Sequence, residues 1–221
     1  MIYATPLLLE DLTIPSGLRG NDACAHIDNL DLDPESFDYK LWTDGSGHED
    51  GYGATAAVWR ARDGAMDTAV SGNYGQTVNR NEFAALLDGI QSIVSHRIRT
   101  LGETQELPKI PINVLSGADR ATIAWYTDRQ SLALMLVFDE HLRPIYKRTH
   151  ERDLWARYAF FARHVCIVPY YRERNTVPEQ GLCDTLCGIM RTAMKTADGE
   201  MKLESSNTQI EWKIRKQSAI L

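Results

Sequence analysis

The 221-residue sequence contains no apolar run approaching the roughly 18 residues a membrane-crossing helix needs, so no membrane partner is expected. Its first residues, MIYATPLLLEDL, lack the basic stretch that precedes the apolar core of a signal peptide, and none is expected there. Cysteine is scarce: Cys24, Cys166, Cys183 and Cys187. Only the last two are close, four apart, and no histidine pair completes a zinc set. Free thiols in a reducing compartment, cytoplasmic or nuclear, are the expectation. His96, His141, His150 and His164 are scattered and read as surface or packing residues. An excess of positive charge is also missing. With 24 Lys and Arg against 30 Asp and Glu, the net charge of −6 argues against a generic nucleic-acid binder. There are no internal repeats.

What is present is an ordinary globular balance, 43% hydrophobic and 24% charged, in a length that suits one generous domain. The charge is unevenly spread. Residues 1–50 hold eleven Asp and Glu against two Lys and Arg, whereas residues 141–174 hold eight Lys and Arg against three Asp and Glu. A chain of this kind can be acidic overall and still grip phosphate with one face.

The first 37 residues mix Pro, Gly, Asn and Asp with short apolar pieces and read as an acidic extension packed on, or trailing from, a domain spanning 38–197. Within that domain Tyr39 to Thr43 reads as a strand, Ala54 to Arg62 as a second and Ala65 to Gly72 as a third, with Asp63-Gly64 as a hairpin turn. From Asn79 to Arg99 the period changes. Phe83, Leu86, Leu87, Ile90 and Ile93 recur at helical spacing. Residues 100–120, with two prolines, read as an inserted loop. Then come a strand at Ile123–Thr127, a helix at Gln130–Phe138, a helix at Asp153–Arg163, a strand at Val165–Tyr170 and a helix at Glu179–Lys195. The order β-β-β-α-β-α-α-β-α predicts an α/β fold: three antiparallel strands, then parallel ones, in a mixed five-stranded sheet flanked by helices. Trp42, Trp59, Trp125 and Trp155 are expected in the core. The tail, 198–221, is polar until Ile210, Trp212 and Ile214 alternate with charges, as in an edge strand or a partner-binding segment.

Four carboxylates fall at element ends: Asp44 after the first strand, Glu82 in the opening turn of the long helix, Asp128 after the fourth strand and Asp184 at the start of the last helix. Each has an ordinary explanation. Asp44 suits a turn before Gly-Ser-Gly, Glu82 complements a helix N-terminus, Asp128 can cap the helix after it, and Asp184 can simply be exposed. Gathered in one place they would repel, and such a set is tolerable only if cations neutralise it or some acids stay protonated. Hard carboxylate oxygens suit Mg²⁺ or Mn²⁺, and a pair of such ions can clamp both the attacking and leaving oxygens of phosphoryl transfer.

Between Tyr39 and Ala197 the chain resembles ribonuclease H of the type 1 family. Thr43-Asp44-Gly45-Ser46 with Gly51-Tyr52-Gly53-Ala54 resembles the family's first hairpin. Thr77, Asn79, Arg80 and Glu82 resemble its helix-opening motif. Tyr126-Thr127-Asp128 with Gln130 resembles its fourth strand and turn. Asp153-Leu154-Trp155, Pro178-Glu179-Gln180 and Cys183-Asp184 resemble its closing segment. The resemblance implies an RNase H-like fold and an endonuclease that cuts the RNA strand of an RNA–DNA hybrid, leaving 3′-hydroxyl and 5′-phosphate ends. It also implies two Mg²⁺ ions, with Mn²⁺ as a substitute. Asp44 would bridge them, Glu82 and Asp128 would complete one site, and Asp184 the other. Gly45, Ser46, Asn79, Arg80 and Gln130 would contact the hybrid, whose 2′-hydroxyls distinguish RNA from DNA.

Four features depart from the family's pattern. Arg174 stands where the family has a mobile histidine; it cannot be a general base, but it can bind the scissile phosphate or help product leave. Val78 stands where a polar residue is common. The loop at 100–120 is longer. The segment HLRPIYKRTHER is shorter than the basic handle of some members, though Arg143, Lys147, Arg148 and Arg152 keep its charge. Two rivals stand beside the nuclease reading: an RNase H-fold module that binds hybrids with degraded chemistry, and a DNA-directed nuclease of resolvase or integrase type. Both extensions are candidate protein-docking segments.

Overall fold

The computed structural model describes residues 13–30, 32–47, 49–104, 120–139, 141, 151–161, 164–174 and 176–203. A five-stranded sheet forms the centre, in the order β4 (Met66–Tyr74), β3 (Tyr52–Ala61), β2 (Tyr39–Gly47), β5 (Ala121–Thr127), β7 (Val165–Tyr171). Strands β2 (Tyr39–Gly47), β3 (Tyr52–Ala61) and β4 (Met66–Tyr74) make an antiparallel meander. Gly64 turns the β3–β4 hairpin at φ +93°, a conformation that suits glycine, as the Asp63-Gly64 pair predicts. Strands β5 (Ala121–Thr127) and β7 (Val165–Tyr171) then add in parallel to β2. The predicted mixed five-stranded sheet is present.

Helix α2 (Val78–Thr104) lies on one face. Its stripe of Phe83, Leu86, Leu87, Ile90 and Ile93 is almost wholly buried against Leu41, Ala57, Trp59, Ile123 and Trp125. Each such side chain contributes about 1.5–3 kcal/mol of burial, so this face anchors the domain. Helix α4 (Arg152–Phe161) joins the same cluster through Leu154, Tyr158 and Phe161. Helix α5 (Pro178–Leu203) covers the opposite face, where Cys183 and Cys187 pack on Trp42, Ala54, Ala56 and Val58. At its far end Asp198 accepts from the hydroxyls of Tyr52 (2.9 Å) and Tyr74 (3.0 Å), pinning the helix to the hairpin. The helix continues past residue 197, beyond the last helical residue expected from sequence.

The predicted helix at Gln130–Phe138 is shorter, α3 (Gln130–Met135). The chain then forms a two-residue strand, β6 (Phe138–Asp139), parallel to β1 (Thr13–Ile14). Helix α1 (Gly20–Asp28) follows β1 and then a 3-10 turn at Pro34–Ser36. Within the predicted acidic extension, therefore, residues 13–30 and 32–37 contribute to the core. Ile14, Ala23, Cys24, Ile27 and Phe37 are buried with Ala124, Val168 and Tyr170, covering the part of the sheet beside α5. Arg172 bonds Asp28 (2.8 Å) and lies over the rings of Tyr126 and Tyr170. Residues 198–203 are helical, and Ile210, Trp212 and Ile214 lie outside the described residues. All four cysteines are free and buried. Among the described residues no helix is long and apolar enough to cross a membrane.

Candidate metal centre

Register decides where the carboxylates fall. Strand β2 pairs with β5 only from Tyr39↔Ile123 to Trp42↔Tyr126, although β2 continues to Gly47 against β3. The two central strands part just beyond that last pair. Asp44 is thus not at the end of its strand but inside it, opposite Ala56, facing the opening that β5 leaves. Asp128 is one residue past β5, on the other side of the same opening. The row below the opening is an aromatic ladder across three strands: Trp42 stacks on Tyr126 and Tyr126 on Tyr170, each pair 5.4 Å between centroids. Such cross-strand pairs fix the register from which the acids project.

Glu82 arrives from α2. The Thr77 hydroxyl accepts from the Arg80 N–H (3.2 Å) and starts the helix. Gly45 then lets that first stretch of helix press against β2. A Cβ on Gly45 would run into the backbone of Asn81 and Glu82. Asn81 donates to the Ser46 carbonyl (2.6 Å), and the Gly45 N–H donates to the Glu82 carboxylate. From the other face Gln180 donates to the Thr43 carbonyl (2.7 Å), Cys183 to that of Trp42 and Cys187 to that of Asp44 (both 3.4 Å). Trp125 donates to the Thr43 hydroxyl (2.9 Å). The strand bearing Asp44 is therefore tied from both sides.

Asp44, Glu82 and Asp128 each offer a carboxylate oxygen, all within 4.8 Å of one another. Asp44 and Glu82 are only 1% and 3% exposed. Their Oδ2 and Oε2 atoms are buried without a hydrogen-bond partner. Buried carboxylate oxygens crowded together and unpaired are costly unless a cation or a proton serves them. Burial, then the charges of Asp44 and Asp128, push the Glu82 carboxyl up to about 9; Arg129 and the Gly45 N–H oppose this. Burial likewise raises Asp44, with Asp128 and Asp184 adding to it and the Cys187 thiol and Arg174 opposing. A hard, oxygen-only donor set with orphaned buried atoms fits Mg²⁺ or Mn²⁺.

Asp184 does not join that triad. It sits in the second turn of α5 with its side chain half exposed, and Arg174 holds it at 2.6 Å. The same guanidinium lies 3.7 Å from Asp44 Oδ1 and, through Nε, 3.6 Å from Asp128 Oδ2. Burial alone would lower the Arg174 pKa, but Asp184, Asp44, Asp128 and Glu82 outweigh it and raise it.

The other predicted site residues lie around this core. Asn79 accepts from Arg129 (2.6 Å), and Gln130 donates to Asn21 of α1 (2.6 Å). The Ser46 hydroxyl is buried beside the Cys187 thiol. Arg80 is engaged elsewhere, by Glu151 and by Asp153, with which it forms a forked pair. Asp128 does not cap α3, whose N-cap is Arg129. Arg143, Lys147 and Arg148 lie outside the described residues. Sequence reasoning missed Arg129, Gln180 and the two α5 thiols as supports. Arg129, a cation directly after Asp128, was the one visible signal.

No family model matches the sequence, and no curated protein is detectably similar to it. Solved structures do resemble it. LC11-RNase H1 in complex with an RNA/DNA hybrid shares 11% identity at a TM-score of 0.50, covering 71% of this chain and 99% of that one. The N-terminal RNase H domain of Rv2228c from Mycobacterium tuberculosis, as a fusion with maltose-binding protein, shares 15% identity at a TM-score of 0.51, covering 74% and 99%. The fold is RNase H-like, and three of its carboxylates are grouped closely enough that they could hold a metal ion.

Proposed function

We propose that the chain is a divalent-metal-dependent ribonuclease H of type 1, with residues 38–197 as its catalytic unit, hydrolysing the RNA strand of RNA–DNA hybrids to 3′-hydroxyl and 5′-phosphate ends. The observation that carries this reading is the orphaned pair Asp44 Oδ2 and Glu82 Oε2, buried beside Asp128 at the parting of β2 and β5. Asp44, Glu82 and Asp128 would hold one ion, and Asp44 with Asp184 a second; two Mg²⁺ ions there would supply a nucleophilic water and neutralise charge on the scissile phosphate.

The chain's own groups position the hybrid. Arg174, over half exposed, presents its guanidinium to the phosphate being cut. Asn79 and Gln130 flank the triad with polar groups able to turn from their present partners toward sugar hydroxyls. Gly45 and Ser46 border it with backbone, and Arg143, Lys147 and Arg148 supply phosphate contacts along the duplex. Arg80, paired with Glu151 and Asp153 at the start of α4, is a further contact offered to the hybrid. The four free thiols fit a cytoplasmic or nuclear setting. A protein partner would dock through the N-terminal extension, 1–37, or the tail, 198–221.

Incubating a labelled RNA–DNA hybrid with the protein and Mg²⁺, beside Asp128→Asn, tests the reading: RNA cleavage by wild type alone supports it. A hybrid-binding module without chemistry is favoured by one observation, the arginine amid the acids. Tight hybrid binding with no cleavage in any divalent metal would select it. Cleavage of duplex or four-way-junction DNA in preference to hybrid would select the DNA-directed alternative.

A further inference from the structure

The two oxygens of Asp44 have different surroundings. Oδ1 faces the Arg174 guanidinium at 3.7 Å, whereas Oδ2 is buried and unpartnered beside Glu82, whose Oε2 is unpartnered too. Arg174 also reaches Asp128 and bonds Asp184, so one exposed side chain spans carboxylates from three elements. It comes from the loop between β7 and α5, where a long side chain can swing away.

We propose that Arg174 is a resident cation that competes with metal for the Asp44–Asp184 side of the centre, so that the protein takes up its divalent ions in two unequal steps. This rests on the metal-dependent reading above. The first ion enters the Asp44–Glu82–Asp128 side, where Asp44 Oδ2 and Glu82 Oε2 are orphaned and Arg174 approaches only Asp44 Oδ1 and Asp128 Oδ2, at 3.7 and 3.6 Å, rather than the 2.6 Å at which it holds Asp184. The second must displace a guanidinium already bonded to Asp184, and like charges at this range repel. A phosphodiester offers the guanidinium an equivalent bidentate partner. Substrate phosphate therefore draws Arg174 off the acids and opens the second position. The full metal complement is assembled only when nucleic acid is present, and the empty protein is spared four unscreened carboxylates.

Calorimetric titration of the nucleic-acid-free protein with Mn²⁺ tests this, using wild type, Arg174→Gln and Arg174→Lys, with circular dichroism confirming the fold of each. Wild type should show one ion bound well and a second at least about tenfold more weakly. Arg174→Gln should tighten the second step by about tenfold and lower the metal-free melting temperature, which Mn²⁺ then restores. Arg174→Lys keeps the charge and should stay near wild type. Identical isotherms for wild type and Arg174→Gln, or an Arg174→Lys isotherm matching Arg174→Gln, overturn the inference. If that happens while wild type still cleaves hybrid, the nuclease reading survives alone. If Arg174→Gln gains the second ion while wild type leaves hybrid intact, the inference survives alone.

Discussion

Asp38 and Asp44 flank and occupy the same strand, and their surroundings are opposite. Asp38, just before β2, is saturated: Oδ2 accepts from the Thr122 N–H and hydroxyl (both 2.9 Å), and Oδ1 pairs with Arg62 (3.1 Å). It ties β2 to β5 where the two strands begin to run together. Asp44, where they part, is deeper and less satisfied. A carboxylate that stabilises a fold arrives with its partners; Asp44 and Glu82 are buried with vacancies in their hydrogen bonding. The difference separates structural acid from candidate site, and it can be attacked from both ends.

The largest effect is expected for Asp44→Asn. Hybrid cleavage should fall by about a thousandfold, while the metal-free protein melts no lower than wild type because repulsion is relieved. A variant that melts far lower in the absence of metal would make Asp44 structural, like Asp38, and break the contrast. Next is Gly45→Ala. Its Cβ would push the first turns of α2 off β2, costing about 3 kcal/mol in denaturant unfolding and weakening Mn²⁺ binding, since Glu82 moves with the helix.

A smaller effect concerns pH. Glu82 moves from its ordinary 4.5 to about 9 on folding. Below 4.5 it is protonated in both states and costs nothing. Between those values the unfolded chain releases a proton that the fold retains, so the metal-free protein should lose stability as pH rises from 4.5 toward 9. Melting scans across that window should show the decline, and Mg²⁺ should flatten it by binding the ionised form. A decline equally steep with and without Mg²⁺ would detach Glu82 from metal binding. The smallest effect belongs to Asp38→Asn, about 1 kcal/mol in unfolding with cleavage unchanged, because its role is confined to pairing with Thr122 and Arg62.

The sheet was legible in the sequence because its signals are local. The Asp63-Gly64 turn and the helical spacing of Phe83, Leu86, Leu87 and Ile90 need no tertiary information. The grouping of Asp44, Glu82 and Asp128 followed from strand and helix order. What stayed hidden depends on register and long-range pairing. That β5 leaves β2 after Trp42 and Tyr126 is not written in either strand, so Asp44 looked terminal when it is internal. The attachment of Arg174 to acids on three elements, and of Asn21 to Gln130 across 109 residues, required the fold. Helix α1 was read as part of an extension because its nine residues carry few large apolar side chains; its burial comes from Ala23, Cys24 and Ile27 meeting Ala124, Val168 and Tyr170 of the sheet, together with Leu134 and Val137.

The two thiols beneath Asp44 carry one more consequence. Cys183 and Cys187 are sealed between α5 and the sheet, and burial, reinforced by Asp44, pushes the Cys183 thiol up to about 12. Neither should react with an alkylating reagent while the helix is seated. Their labelling rate is therefore a stopwatch on the lifting of α5, timing from inside the protein how often the floor of the centre comes loose.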